Sequence, residues 1–317
     1  NINRAADDRC EVVVVGGLVM DVLARASLEL AAGTSTGRVE QVQGGVGANI
    51  ASAFASISER SPLLISAVGC DVAGNGLVAA WASRGAPTRG IMRCEGEHTP
   101  TVVAVMDGSG EIAACVADVE LVERKLTARA LSQFKSDFER ASVVVVDANL
   151  TQEASSAAAQ FGCAGGAVVV LEPVSVAKAA RLAPSILKDV TFFTPNVAEL
   201  CAVARNLGCD CDPPTSSGTA AEAVVRELAS PIAAVLEAGV RWLVLTLGPQ
   251  GVALCALDSG RLAIRLVPAV AVPRVVSTSG AGDTLVAGMV NGLQNGLSPA
   301  AAVSRGVLCA SVCVQSM

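Results

Sequence analysis

Tyrosine is absent from this 317-residue chain, histidine occurs once, and aromatic residues make up only 3%. A nucleic-acid surface built on stacking rings has little to work with. A formal charge of −6 and a pI near 5.0 supply no basic field in its place. A His-based zinc site or a Ser–His–Asp triad would rest on His98 alone, and no strand–turn–helix nucleophile motif accompanies it. His98 lies in the polar stretch Gly96-Glu97-His98-Thr99-Pro100 and reads as a surface or substrate-rim residue. Charged residues are few, at 16%, while 52% are hydrophobic, which excludes a solvated disordered chain. No apolar run approaches the ~20 residues of a membrane-spanning helix. The eleven cysteines are an odd number, scattered without a CxxC pair, and Cys209-x-Cys211 is their only tight spacing. This is neither a disulfide framework nor a zinc ribbon, so reduced and mostly buried thiols are expected. No secretory signal pattern opens the sequence. The expected compartment is the cytosol, or an organelle such as the peroxisome if a targeting segment has been trimmed.

What is present is alternation. Near-continuous apolar runs at 11–15, 63–68, 142–147, 167–171, 190–193 and 242–246 read as strands buried on both faces. Between them lie helix candidates at 48–58, 74–84, 127–139, 152–161, 176–183, 196–207, 220–238 and 281–295. The pattern predicts an α/β fold with a mostly parallel sheet and helices on both faces. Two segments, about 22–43 and 88–119, instead alternate Thr, Ser, Arg and Glu with Val, and Asp107-Gly108-Ser109-Gly110 is a hairpin signal. They are expected to form a small second sheet, a lid over the strand ends where open α/β sheets bind ligands. The Pro/Ser-rich stretch 209–219 reads as a surface loop.

Three glycine-rich motifs carry the chemistry. In Ser277-Thr278-Ser279-Gly280-Ala281-Gly282-Asp283, small residues open a helix whose first turn holds a carboxylate. Unpaired N–H groups and the helix dipole there favour an anion, and glycine lets a phosphate approach the backbone. Asp283 would stand beside that anion as a general base for a substrate hydroxyl. The same pattern also suits an ordinary helix with Asp in its first turn. Gly44-Gly45-Val46-Gly47-Ala48-Asn49 again leads into a helix, with Asn49 able to hydrogen-bond a polyol. Gly16-Gly17-Leu18-Val19-Met20-Asp21 follows the first strand, but it is not GxGxxG and no helix follows, which argues against a Rossmann dinucleotide site.

In this order the three motifs resemble the ribokinase-like (PfkB-type) carbohydrate kinase family. Thr194-Pro195-Asn196-Val197-Ala198-Glu199 is similar to that family's NxxE motif, and Thr246-Leu247-Gly248-Pro249-Gln250-Gly251 to its nucleotide-site turn. Within the family the likeness is to the pseudouridine kinases, carried by residues 66–71, 96–101, 106–111, 147–150 and above all Glu172-Pro173-Val174-Ser175-Val176-Ala177-Lys178. Ala48 stands where many of those enzymes carry Arg, and Ser277 where many relatives carry an Asp linked to a monovalent cation site. A K⁺ requirement is therefore left open.

The resemblance implies one ribokinase-like three-layer α/β/α domain over 1–317 with a small β-sheet lid. It implies an ATP- and Mg²⁺-dependent kinase that phosphorylates the 5′-hydroxyl of pseudouridine. Asp21, Gly45, Asn49 and Asn149 would hold the ribose, and Asp283 would take the hydroxyl proton. The N–H groups of Gly280, Ala281 and Gly282 would stabilise the transferring phosphoryl. Asn196, Thr246, Gly248 and Gly251 would serve the nucleotide, and Glu199, with Asn196, the metal. A homodimer through the lid is a further expectation; nucleic acid and membrane are not expected partners. Two alternatives stay open: a kinase of this fold for ribose, adenosine or fructose, and a non-catalytic nucleoside-binding protein.

Overall fold

A computed structural model describes residues 11–27, 34–108, 111–214 and 220–315. Valine-rich segments supply the central strands. β1 (Glu11–Val15) and β8 (Ala141–Asp147) lie side by side in parallel register, Val13 opposite Val144. Their side chains alternate between two cores. Val13, Val15, Val144 and Val146 pack with Leu131 and Phe138 on one face. Val12, Val14, Val143 and Val145 pack with Phe54, Trp81 and Met289 on the other. Burial on both faces is why these strands carry unbroken valine at Val12–Val15 and Val143–Val146.

The remaining strands are β2 (Val19–Ala26), β3 (Gly37–Gly44), β4 (Leu63–Gly69), β5 (Ile91–Cys94), β6 (Thr101–Met106) and β7 (Ile112–Asp118). After β8 come β9 (Val168–Glu172), β10 (Phe192–Phe193), β11 (Trp242–Thr246), β12 (Val252–Asp258) and β13 (Arg261–Val267). Nine of them form one sheet in the order β13-β12-β11-β10-β9-β8-β1-β4-β5, parallel from β11 to β5 and closed by an antiparallel hairpin at the β13 edge. β3-β2-β6-β7 form the small sheet. One helical layer contains Val46–Ile57, Val72–Ser83, Ala281–Gln294 and Pro299–Cys313; the other includes Gln152–Ala164, Val197–Asn206 and Ala229–Glu237. No helix among the described residues is long and apolar enough to cross a membrane.

Several boundaries differ from the sequence expectation. Residues 91–94 pair with β4 in the large sheet, so the second segment of the small sheet starts at Thr101, not near 88. The first segment starts at Val19, which puts Asp21 inside the small sheet. The helix expected at 220–238 breaks into Ala221–Glu227 and Ala229–Glu237. Pro231 has no N–H to bond the carbonyl four residues back, at Glu227. The 127–139 helix is likewise divided, by a 3-10 turn at Ser132–Phe134. β12, β13 and the helix Pro299–Cys313 were not expected. Cys201 and Cys211 form a disulfide, against the expectation of reduced thiols throughout. Gly208, at φ 78°, turns the chain back after the helix and brings Cys211 beside Cys201. The tip of the expected hairpin, 109–110, and residues 215–219 of the expected loop lie outside the described residues.

The helix Ala281–Gln294 is held by an unusually close neighbour. A Cβ on Gly306 would fall 2.5 Å from the Leu285 carbonyl oxygen, and one on Gly288 would fall 2.9 Å from the Gly306 Cα. Backbone faces backbone, so Gly306→Val must push the two helices apart. Overpacking of this kind costs about 1–3 kcal/mol. Urea unfolding should show a lower midpoint at unchanged slope; an unchanged midpoint would refute the close contact.

Candidate active site

The carboxyl ends of β1, β8, β9, β10 and β11 share one edge of the sheet, and all the motif residues lie along it or beside it. At its centre is Asp147, the last residue of β8, fully buried. Its Oδ2 accepts the N–H groups of Gly17 and Gly47, each at 2.9 Å, and its Oδ1 accepts the N–H of Asn149 at 3.0 Å. Burial raises its pKa; the three backbone donors and the Asn149 side chain pull the other way.

Around this carboxylate stand the residues expected to hold a sugar. Gly45 adopts φ 93°, and a Cβ there would fall 2.5 Å from the Gly17 carbonyl oxygen. Only glycine meets both demands. Asp21, half-buried on β2, lies against Gly44, where a Cβ would fall 2.0 Å from its carboxylate. Burial raises the Asp21 pKa as well. The Asn149 side chain reaches the same turn, its Nδ2 lying 3.7 Å from where a Gly17 Cβ would sit. Asn49, one helical turn after Gly45, donates from Nδ2 to Asp283 Oδ2 at 2.8 Å. That bond joins the sugar-side residues to the start of the helix Ala281–Gln294.

The second group lines a cavity of about 210 Å³ that includes Glu172, Asn196, Glu199, Thr246, Gly280, Gly282 and Asp283. Gly280 caps the helix in the left-handed region, at φ 74°, with no side chain closing the first turn. Nothing stands within 4 Å of where a Gly282 Cβ would be, so the backbone there is open to a ligand. Ala281 is less free: its N–H points to the Thr278 carbonyl at 3.3 Å, and its side chain does not line the cavity. Burial pushes Asp283 up to about 6, the nearby Asp147 adding and the Asn49 donor subtracting.

Asn196 and Glu199 form a reciprocal capping box, each accepting the other's backbone N–H at 2.9 Å. They start the helix Val197–Asn206 and also face the cavity. Thr246 ends β11 and donates its N–H to the Pro195 carbonyl at 2.9 Å, which ties the two motifs together. Gly248 and Gly251 stand outside the cavity lining and shape the turn behind Thr246. Both have positive φ, and a Gly251 Cβ would meet the Val267 carbonyl at 2.2 Å.

Sequence reasoning gave no role to Asp147 or Glu172. Both end apolar strands, and a carboxylate at the carboxyl end of a buried parallel strand is the signal that could have found them. The Glu172 carboxyl is pushed well up, first by burial and then by Asp283, Glu199 and Asp147. Its Oε2 accepts the N–H of Val174 at 2.6 Å, and Val174 is held at φ 68°, a strained conformation for a β-branched residue. Lys178, the last residue of the stretch Glu172–Lys178, is half-buried and paired with Glu123 at 3.4 Å. It lines a separate cavity of about 220 Å³. His98 is exposed, as expected.

The pfkB family carbohydrate kinase model matches residues 10–317. A pseudouridine kinase of Arabidopsis thaliana is 31% identical over 96% of this chain and 91% of its own length. One from Escherichia coli (strain K12) is 28% identical over 95% of this chain and 89% of its own. The fold matches the Arabidopsis thaliana ribokinase complexed with ribose and ATP, with a TM-score of 0.81 at 20% identity, over 96% of this chain and 93% of that one. The large, mostly parallel sheet with a small four-stranded companion is thus a ribokinase-like fold. The chain belongs to the pfkB family of carbohydrate kinases, phosphotransferases that act on a hydroxyl group.

Proposed function

We propose that this chain transfers the γ-phosphoryl of ATP to the 5′-hydroxyl of pseudouridine, giving pseudouridine 5′-phosphate. The observation that carries the phosphotransfer is Asp283: a buried carboxylate with a pKa of about 6, oriented by Asn49 and set in the first turn of a helix whose entry glycines are open. The substrate rests on the two pseudouridine kinases of 31% and 28% identity. Asp21, Gly45 and Asn149 hold the ribose hydroxyls, and Asn49 bridges to the base. Asp283 accepts the 5′-hydroxyl proton as the oxygen attacks phosphorus. The N–H groups of Gly280, Ala281 and Gly282 stabilise the charge on the phosphoryl oxygens, Ala281 by exchanging its long bond to Thr278. Thr246 and Asn196 approach the nucleotide from the far side, with Gly248 and Gly251 shaping the turn. The small sheet closes over the crevice and keeps water from the phosphoryl group.

Mg²⁺ fits the donor set. Glu172 and Glu199 bring oxygen ligands to a cavity where Asp283 and Glu199 add to burial in pushing the Glu172 carboxyl up, a repulsion that a divalent cation would relieve. Glu199 would hold it with Glu172 beside it, through the water shell that Mg²⁺ retains. When bound, the ion neutralises phosphate oxygens.

Coupled ADP release with Mg-ATP should favour pseudouridine over uridine, adenosine, ribose and fructose. Preference for another acceptor would keep the phosphotransfer and discard the substrate. Silence on all five with ATP binding intact would indicate a binding protein.

Asp283→Ala should lose about 10²–10⁴-fold in kcat with little change in KM. The base must be ionised, so kcat/KM should fall as pH drops through about 6. A profile flat from pH 8 to 5 would remove Asp283 from this role.

On the face of the small sheet opposite Asp21, the outer strands expose Val39 and Val116. A second copy of the chain covers this face in the proposed homodimer. Light scattering should then give twice the chain mass, and Val116→Lys should return it to the single-chain mass.

A further inference from the structure

We propose that Asp147 is a positioning residue for the acceptor nucleoside: a carboxylate that does not meet the substrate but fixes the three segments that do. The inference rests on the kinase reading and adds a residue to which the three motifs give no role.

The geometry is specific. The donors to Asp147 come from the turn after β1, from the first turn of the helix Val46–Ile57 and from the loop after β8. Each segment leads to a sugar-side residue. Gly17 is followed by β2 and Asp21; Gly47 lies between Gly45 and Asn49; Asn149 is itself a donor. The carboxylate lies directly against bare backbone. A Cβ on Gly16 would fall 2.1 Å from its Oδ2, and one on Gly47 would fall 2.9 Å from the Gly16 Cα. The spacing of the three segments is therefore set by one side chain, with no intervening layer to absorb an error.

A carboxylate is the group this place requires. All three partners are N–H donors, and an ionised carboxylate only accepts. An amide of the same shape turns its NH₂ toward one of them, and the backbones cannot rotate to suit. The Ala48 N–H is engaged with the Gly17 carbonyl at 2.9 Å, and the Asn49 N–H with the Gly45 carbonyl at 2.8 Å. Donor then faces donor, and one segment must move. The residues proposed for the nucleotide hang on β10 and β11 and receive none of these bonds. The acceptor side should loosen while the ATP side keeps its geometry.

The test is a split between two Michaelis constants. Asp147→Asn, compared with the wild-type chain by coupled ADP release, should raise the KM for pseudouridine by about tenfold or more, the loss expected for a buried charge-assisted bond. The KM for ATP should stay within about twofold on the same reasoning. A role in stability alone would lower the melting temperature and the active fraction, and hence apparent kcat, with both KM values unchanged. Gly16→Ala, which drives a methyl group into the same carboxylate, should give the same split and serves if the Asn variant does not fold. A folded variant with unchanged nucleoside KM overturns the inference while leaving the kinase reading intact. Wild-type inactivity on every acceptor would sink the kinase reading instead. Amide hydrogen exchange at Gly17 and Gly47 then decides the geometry without turnover: faster in the variant if Asp147 holds these segments, unchanged if it does not.

Discussion

Carboxylates withdrawn from water need donors, and the carboxyl edge of the large sheet is organised by that need. Asp147, Glu172, Glu199 and Asp283 all have raised pKa values, and burial is the leading cause for each. Each is given donors: distant glycine amides for Asp147 and the distant Asn49 side chain for Asp283, the nearby Val174 amide for Glu172 and the capping-box amide for Glu199. The loops of the crevice are shaped by these bonds. Gly16 and Gly44 occur where a side chain would strike the carboxylates of Asp147 and Asp21, and the strained Val174 occurs where a turn must bring its N–H inward.

The same accumulation of buried negative charge accounts for the chemistry proposed for the crevice. Neighbouring carboxylates raise the Glu172 carboxyl further, a repulsion that suits the divalent cation and phosphate chain proposed to bind there. Burial pushes Asp283 up to about 6 while its Asn49 partner pulls the other way, a value that suits the proton transfer proposed for it.

Much of this was legible in residue order. Runs such as Glu11–Val15 announce a strand buried on both faces, and the glycine clusters at 44–47 and 280–282 announce backbone brought close to a ligand. What escaped has physical reasons. β13 is an edge strand with Arg261 and Arg265 in solvent, so it lacks the continuous apolar run of the inner strands. The helix Pro299–Cys313 is rich in Ala and packs at Gly306 through backbone contact, so its face carries little hydrophobic contrast. The partnership of Cys201 with Cys211 depends on a chain reversal at Gly208 that cysteine spacing does not encode. Asp147 ends a valine run, and nothing in its neighbours tells that its carboxylate turns inward to three amides.

The bond between Asn49 and Asp283 closes a loop of 234 residues. As the ribosome extends the chain, the glycine turns of the first strands and the buried carboxylate of β8 can meet early. The helix bearing Asp283 follows every described strand of both sheets. A product cut short before residue 280 would contain those strands and lack the carboxylate proposed to accept the proton. Assembly of the sheets and arrival of the carboxylate proposed for phosphotransfer are thus separate events on the growing chain.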